Sequence, residues 1–318
     1  VDILGEGNAS RLRDVCIIDE SNVWAVGEIY LTDSTGQFMY PPYNAVRWDG
    51  NHWILERIMV NYGGNPSAVP SLYGIFAFSP TDIWVSSGVP IHGDGINWTI
   101  YHLFDMGVLL QTEGNVSHMW GTSSDDLYLA GLKGSIIHYN GTAWNKIASV
   151  TNLDIQDIWG VKNSETSEQT VLAVAANIYA SNDKEILSLN GLNVKKISTR
   201  GINWPLDAIW FDPGRIYYAV GAGIYSKNNL DDTEIWDGPG LTLTTYTSHA
   251  VRGNHINDVF IVGAFGDVLH YNGKNWRSYR ETTKLDQGSY YSVAVKGNLV
   301  FAVGHNYDRA VVLRGRRN

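Results

Sequence analysis

The chain has 318 residues, with 44% hydrophobic side chains, 12 Trp, 18 Tyr and 33 Gly, but only 17% charged residues and one Cys. That composition can bury a large core and excludes disorder; the single Cys excludes an intrachain disulfide framework, and no run approaches the roughly 18 apolar residues of a spanning helix. A net charge of −9 excludes general nucleic-acid binding, which needs a basic face against the phosphates.

In chain order, Val1-Asp2-Ile3-Leu4 comes first, with no Met and no charged-plus-apolar leader, as in a mature or trimmed form. Then three signatures recur: an apolar stretch often ending in Trp-Gly, an alternating strand ending in Gly, and an Asp/Asn-Gly turn followed by Trp. The first unit begins near residue 12 with Val15-Cys16-Ile17, continues with Val23-Trp24-Ala25-Val26-Gly27, and reaches the turn Asp49-Gly50-Asn51-His52-Trp53. Between strand and turn lies an insertion, residues 31–43, carrying Phe38, Tyr40 and Tyr43. The second unit begins near 72, after a connection at 61–71, and ends on Asp94-Gly95-Ile96-Asn97-Trp98. The third begins near 116, after a connection at 104–115, with Met119-Trp120-Gly121 and the turn Asn140-Gly141-Thr142-Ala143-Trp144. Units near 155 and 206 keep Ile158-Trp159-Gly160 and Ile209-Trp210-Phe211, and their turns, Asn190-Gly191 and Asp237-Gly238, lack the Trp. Residues 225–234 of the fifth unit carry the adjacent pair Asp231-Asp232. The sixth unit, near 248, has Val251-Arg252-Gly253 and Asn272-Gly273-Lys274-Asn275-Trp276. The seventh, near 289, has three strands and stops at Arg314-Gly315-Arg316-Arg317-Asn318, where a fourth should begin.

Seven units of about 40 to 45 residues with four strands each predict one all-β domain over 1–318, a seven-bladed β-propeller with antiparallel blades. Residues 1–5 have no unit of their own and are expected to supply the missing strand, so that the two chain ends complete one blade and cover its edge. The competing arrangement is a six-bladed propeller with a stray seventh fragment. The Asp-Gly and Asn-Gly pairs predict two-residue type I′ turns, in which both central residues take positive φ.

These turns resemble those of extracytoplasmic bacterial seven-bladed propellers, in the broad group that includes the Asp-box (BNR-type) repeat proteins. The carrying residues are Asp49–Trp53, Asp94–Trp98, Asn140–Trp144 and Asn272–Trp276, placed between third and fourth strands as an Asp box is. The Ser or Thr usual two residues before the Asp is replaced by Arg47, His92, His138 and His270. The three Arg, Tyr/Glu pair and acid of the sialidases in that group have no matching positions here, so no such activity carries over.

A residue type that recurs at one place in several blades serves the blade, whereas one that breaks the pattern is the better functional candidate. By that filter His92, His138 and His270 are structural, as are Trp24, Trp84, Trp120, Trp159 and Trp210 between blades and Trp53, Trp98, Trp144 and Trp276 at their own turns. Trp48 and Trp236 are assigned to third strands beside the turn, and only Trp204 falls outside the pattern. Arg252 stands where other blades carry apolar side chains, either as an ion pair between blades or as a guanidinium facing the axial channel. The loops of the upper face, between second and third strands and between blades, contribute Phe38, Tyr40, Lys133, His305, Tyr307 and Arg309. Cys16, on an apolar strand, reads as a small buried hydrophobe. The chain has no His-Glu-x-x-His, Gly-x-Ser-x-Gly or Walker motif, and no metal or cofactor is expected.

The expectation is an extracytoplasmic, non-enzymatic propeller that binds a glycan or an extended peptide, through Phe38, Tyr40, Lys133, Trp204, Arg252, His305, Tyr307 and Arg309. Flat aromatic faces suit sugar rings, and Asn, Asp and Arg supply hydrogen bonds. One alternative is a lyase or glycoside hydrolase acting on an acidic polysaccharide, with His305 and Tyr307 moving protons and Arg252 neutralising a uronate. Another is a structural subunit docking a partner protein. Neither nucleic acid nor membrane insertion is expected, and the oligomeric state is not specified.

Overall fold

A computed structural model describes residues 1–62, 64–69, 71–180, 182–231, 233–238 and 243–317. Asp232, half of the Asp231-Asp232 pair, and the terminal Asn318 lie outside the described residues. The chain is almost all β and forms a seven-bladed β-propeller. The blades open with the strands Arg11–Asp19, Gly74–Ser79, Val116–Ser123, Ile155–Lys162, Leu206–Asp212, Ser248–His255 and Gly288–Lys296. Blade seven takes its fourth strand, Asp2–Leu4, from the start of the chain, in register with the third strand Arg309–Arg316 through Asp2↔Val312, Ile3↔Val311 and Leu4↔Ala310.

By packing, the chain divides into two compact units. The first holds residues 1–102, 262–268 and 279–318, essentially blades seven, one and two; the second holds 103–261 and 269–278, essentially blades three to six. Second strands such as Asn22–Ile29 read as continuous apolar runs because both of their faces are covered. In the first unit Val23, Ala25 and Val46 pack with Phe301, Val303 and Val312, while Trp24, Val26 and Ala45 pack with Ile83, Val85 and Ile91. In the second, Leu172 and Val174 pack with Ile209, Phe211 and Ala219.

The Gly that ends most second strands has a steric cause, though Ala175 holds that place in blade four. First strands carry a β-bulge near their start, with register shifts at Leu12/Asp14, Val116/His118, Ile155/Asp157, Leu206/Ala208 and Tyr290/Ser292. A Cβ at Gly27 would lie 2.2 Å from the carbonyl oxygen of Arg11, and one at Gly304 would lie 1.8 Å from that of Ser289. The Gly admits the bulge, and the bulge re-aims the extra side chain, Arg13 in blade one and Tyr291 in blade seven. Two aspartates just past the bulge join neighbouring blades. Asp14 accepts the backbone N–H groups of Val15 and Ile75, both at 2.9 Å, and the hydroxyl of Ser292 at 2.6 Å. Asp157 does the same for Ile158 and Ile209.

Three expectations need correction. The Asp/Asn-Gly turns are not type I′: only Gly50, Gly95, Gly141 and Gly273 take positive φ, while the preceding Asp or Asn does not. Its side chain instead accepts the backbone N–H groups two and three residues on, as Asp94 does from Ile96 at 2.9 Å and Asn97 at 2.6 Å. The Trp after the turn also serves the preceding blade, with Trp53 edge-on to Phe301, Trp98 to Trp24 and Trp276 to Tyr218. Trp236 is not on a third strand. That strand is Ile224–Lys227, and Asp237 bridges to its Ser226, so the Trp236-Asp237 segment stands where a fourth strand would. Residues 225–234 accordingly span this third strand and the connection after it.

The recurrent histidines are structural. His92, His138 and His270 lie 2.8–3.0 Å from Asp82, Asp126 and Asp258 of the adjacent strand and pack against the faces of Trp84, Tyr128 and Phe260. Burial pushes the Cys16 thiol up to about 12, which leaves it protonated and unreactive at neutral pH.

The turn chemistry carries a pH dependence. Backbone N–H groups of Asn97 and Ile96, with the Asn97 side chain, hold the Asp94 carboxyl down at about 2. Its stabilisation is therefore present above the ordinary carboxyl range near 4 and is lost as pH falls towards 2. In unfolding midpoints measured from pH 7 to 2, Asp94→Asn, which keeps the acceptor as Asn140 does, is expected to lie between wild type and Asp94→Ala at pH 7. The wild-type advantage over Asp94→Asn should vanish in acid.

Candidate ligand site on the rim of blades seven and one

The pairing of Asp2–Leu4 with the last strand leads residues 5–10 between two loops of the first unit. Gly5 and Gly7 turn the segment at φ of 83° and 124°, and the Ser10 hydroxyl fastens it by donating to the Gly7 carbonyl at 2.7 Å. On the blade-one side, Glu6 accepts the Thr32 backbone N–H at 2.6 Å and the Thr32 hydroxyl at 2.5 Å. Those bonds, with the charge of Arg309, hold the Glu6 carboxyl below its ordinary value. Gly7 lies against both loops, since a Cβ there would sit 2.9 Å from Asp308 Oδ2 and 3.5 Å from Phe38 Cζ.

The blade-one loop presents an aromatic ledge. Tyr30 stands edge-on to Phe38 and to Tyr40, at 6.2 and 5.7 Å between ring centres, and Asn8 donates to the Tyr40 hydroxyl at 3.0 Å. Beside the ledge is a cleft of about 830 Å³ lined by Ile3, Gln287, His305, Tyr307, Asp308 and Arg309, with Asn306 at its edge. Tyr307, at φ 54°, and Tyr40 are 55% and 70% exposed, so two large rings face solvent at one rim. Towards the inner strands His305 stacks on Tyr291 with 5.2 Å between ring centres. Further in, Arg11 and Arg13 share Glu28, whose other oxygen accepts the Ser71 hydroxyl at 3.0 Å, and Arg13 lies over the Tyr73 ring. Burial and the nearby Glu28 carboxylate raise the Tyr30 phenol, so it stays protonated.

Of the residues expected from sequence, Phe38, Tyr40, His305, Tyr307 and Arg309 belong to this one rim. Lys133, Trp204 and Arg252 belong to the second unit. Lys133 sits at φ 53° in a short turn, where its Nζ donates to the Thr112 carbonyl at 3.0 Å. Trp204 is half-exposed. Arg252 is the ion pair between blades: it donates to both oxygens of Asp157 at 2.8 and 2.9 Å and lies 4.5 Å over the Trp159 ring. Its guanidinium is engaged, which takes from the lyase reading the cation it needs for a uronate. The rim residues that the sequence pattern does not single out are Arg11, Arg13, Tyr30, Tyr73 and Tyr291. Their signal is present only as Arg11-Leu12-Arg13, two cations at the head of the first strand, and the bulge that turns Arg13 leaves no mark of its own.

The sequence matches no family model and no curated protein. The fold is similar to that of solved propellers. YCF48 bound to D1 peptide aligns with a TM-score of 0.69 at 14% identity, covering 100% of this chain and 97% of that one. The WD40 propeller domain of Doa1 gives 0.64 at 14%, covering 100% and 96%. Virginiamycin B lyase from Staphylococcus aureus gives 0.65 at 8%, covering 99% of each. A peptide-bound protein and a lyase share this architecture, so the likeness establishes the fold and leaves the activity to the site.

Removing one partner of the Arg252–Asp157 pair leaves a charge that is only 8% exposed without its counter-ion. Arg252→Ala is expected to destabilise the protein by about 3 kcal/mol in urea unfolding, the lower end for a broken buried pair. An Asp157→Asn/Arg252→Met double variant should recover part of that loss.

Proposed function

We propose that the protein is a non-enzymatic binding propeller that holds an extended peptide segment of a partner across the rim of blades seven and one. The observation that carries this reading is the meeting of three segments, distant in sequence, at one rim, where Gly7 lies against both Phe38 and Asp308. The ledge of Phe38 and Tyr40 thereby stands beside the cleft lined by His305, Tyr307, Asp308 and Arg309. Exposed aromatic rings supply contact area at low entropic cost, and the charged and amide groups around them can pair with a peptide backbone and its side chains. The peptide-bound propeller of the same fold supports a peptide over a glycan. The low charge and the richness in Trp, Tyr, Asn and Gly support an extracytoplasmic setting.

Peptide and glycan arrays probed side by side with wild type and with Phe38→Ala/Tyr307→Ala test the reading. Capture by peptides is expected, weakened about tenfold or more in the double variant, the equivalent of about 1.4 kcal/mol. Glycan-only capture, or peptide binding untouched by the double variant, would contradict it.

A further inference from the structure

We infer that Arg11 and Arg13 form a carboxylate-binding subsite at the inner end of this rim, selecting partners that place an acidic side chain there. The inference rests on the peptide reading for its biological ligand, though the subsite itself stands on the geometry of the two arginines.

Both guanidiniums face a single acid, and Arg11 Nε donates to the Ala9 carbonyl at 3.2 Å besides. Arg11 Nε and Arg13 Nη2 lie 3.3 Å from the same oxygen of Glu28, Oε1. Charge-assisted N–H···O bonds normally close to about 2.7–2.9 Å, as the Arg252–Asp157 fork does at 2.8 and 2.9 Å. The other oxygen of Glu28, Oε2, accepts the Ser71 hydroxyl at 3.0 Å rather than either arginine. The same carboxylate lies close enough to the Tyr30 phenol to help raise it. Two cations and one divided anion leave an excess positive charge on a chain whose net charge is −9.

Arg13 has further unused capacity. Its Nε is buried and has no hydrogen-bond partner among the described residues. A guanidinium offers five N–H donors in a planar fork suited to a carboxylate, and a ligand that turns this partly exposed side chain enough to present Nε meets a donor that is otherwise unsatisfied. The Tyr73 ring supports the guanidinium plane at 4.9 Å, and the two side chains are 34% and 30% exposed, so the fork is held and reachable.

The repeat strengthens the assignment. The extra residue of the first-strand bulge is Ser117 in blade three, Gln156 in blade four, Asp207 in blade five and Tyr291 in blade seven. Among these bulges only blade one carries a cation, so Arg13 is not required by blade geometry. The subsite also adjoins the cleft, because Tyr291, which feels the charge of both arginines, stacks on His305, and His305 lines the cleft.

Two measurements test this. In the first, the Arg Nε–H signals of ¹⁵N-labelled protein are followed by NMR while sodium glutarate is added, against sodium chloride at equal ionic strength. The Arg13 signal, assigned through Arg13→Gln, is expected to shift saturably with glutarate alone, and Glu28→Gln, which removes the anion that both guanidiniums face, should tighten the response. Equal shifts in both salts would overturn the subsite. In the second, two randomised nonapeptide pools, identical except for one fixed Glu or Gln, are compared by fluorescence anisotropy. The Glu pool should bind at least tenfold tighter, and Arg13→Gln should abolish that preference. Equal binding of the two pools to wild type would overturn selection of acidic partners and leave the peptide reading intact. A glutarate response with no binding of either pool would sustain the subsite and remove the peptide reading.

Discussion

The pairing of Asp2–Leu4 with Arg309–Arg316 is the contact on which the candidate site depends. It covers the edge of blade seven, where unpaired N–H and C=O groups would otherwise face outward. It also fixes the path of residues 5–10. Without it Glu6 would have no reason to meet Thr32, and Gly7 would not lie between Phe38 and Asp308. Asp2 is itself held by the indole N–H of Trp53 at 3.0 Å, so blade one helps to anchor the strand that completes blade seven. Joining segments some 300 residues apart carries a loop-closure cost, but that cost grows only logarithmically with length. Three ladder positions and the packing of Leu4 against the core of blades seven and one oppose it.

Inner-strand chemistry sets what the rim can present. Each bulge directs one side chain out of the ladder, and in blades one, three, five and seven the glycine opposite it makes room, while Ala175 holds that place in blade four. The aspartates that follow, Asp14 and Asp157, tie the inner strands of successive blades through backbone N–H groups. Arg252 uses this second device: it is a structural cation at Asp157, while Arg11 and Arg13 hold a weaker claim on Glu28. The contrast between a closed fork and two long contacts to one oxygen separates a structural pair from a binding pair in this chain.

Blade number and the borrowed N-terminal strand are legible in the sequence because the repeat states the four-stranded unit several times over. Features stated once are harder to read. Asp-Gly and Asn-Gly suggest a type I′ turn by propensity, yet the side chain of the first residue captures two backbone N–H groups and makes a wider loop. Trp236 looks like Trp48 beside a turn, but the bridge from Asp237 to Ser226 puts it next to the third strand rather than on it. The connection at 61–71 reads as a loop, although Met59–Tyr62 pairs with Asn65–Ala68. Five of the eight candidate residues share one rim because they lie on loops at the two chain ends, which blade seven unites. Arg13 escapes the pattern because a bulge shifts it by one residue, and side-chain alternation then assigns it to the wrong face.

The most direct test is hydrogen–deuterium exchange of the full chain, free and saturated with the tightest glutamate-containing peptide. Protection confined to residues 5–13, 28–40 and 287–309 is the predicted result, because those segments build the cleft, the ledge and the arginine pair. Protection centred on the loops of blades three to six, with no change in these segments, would contradict it.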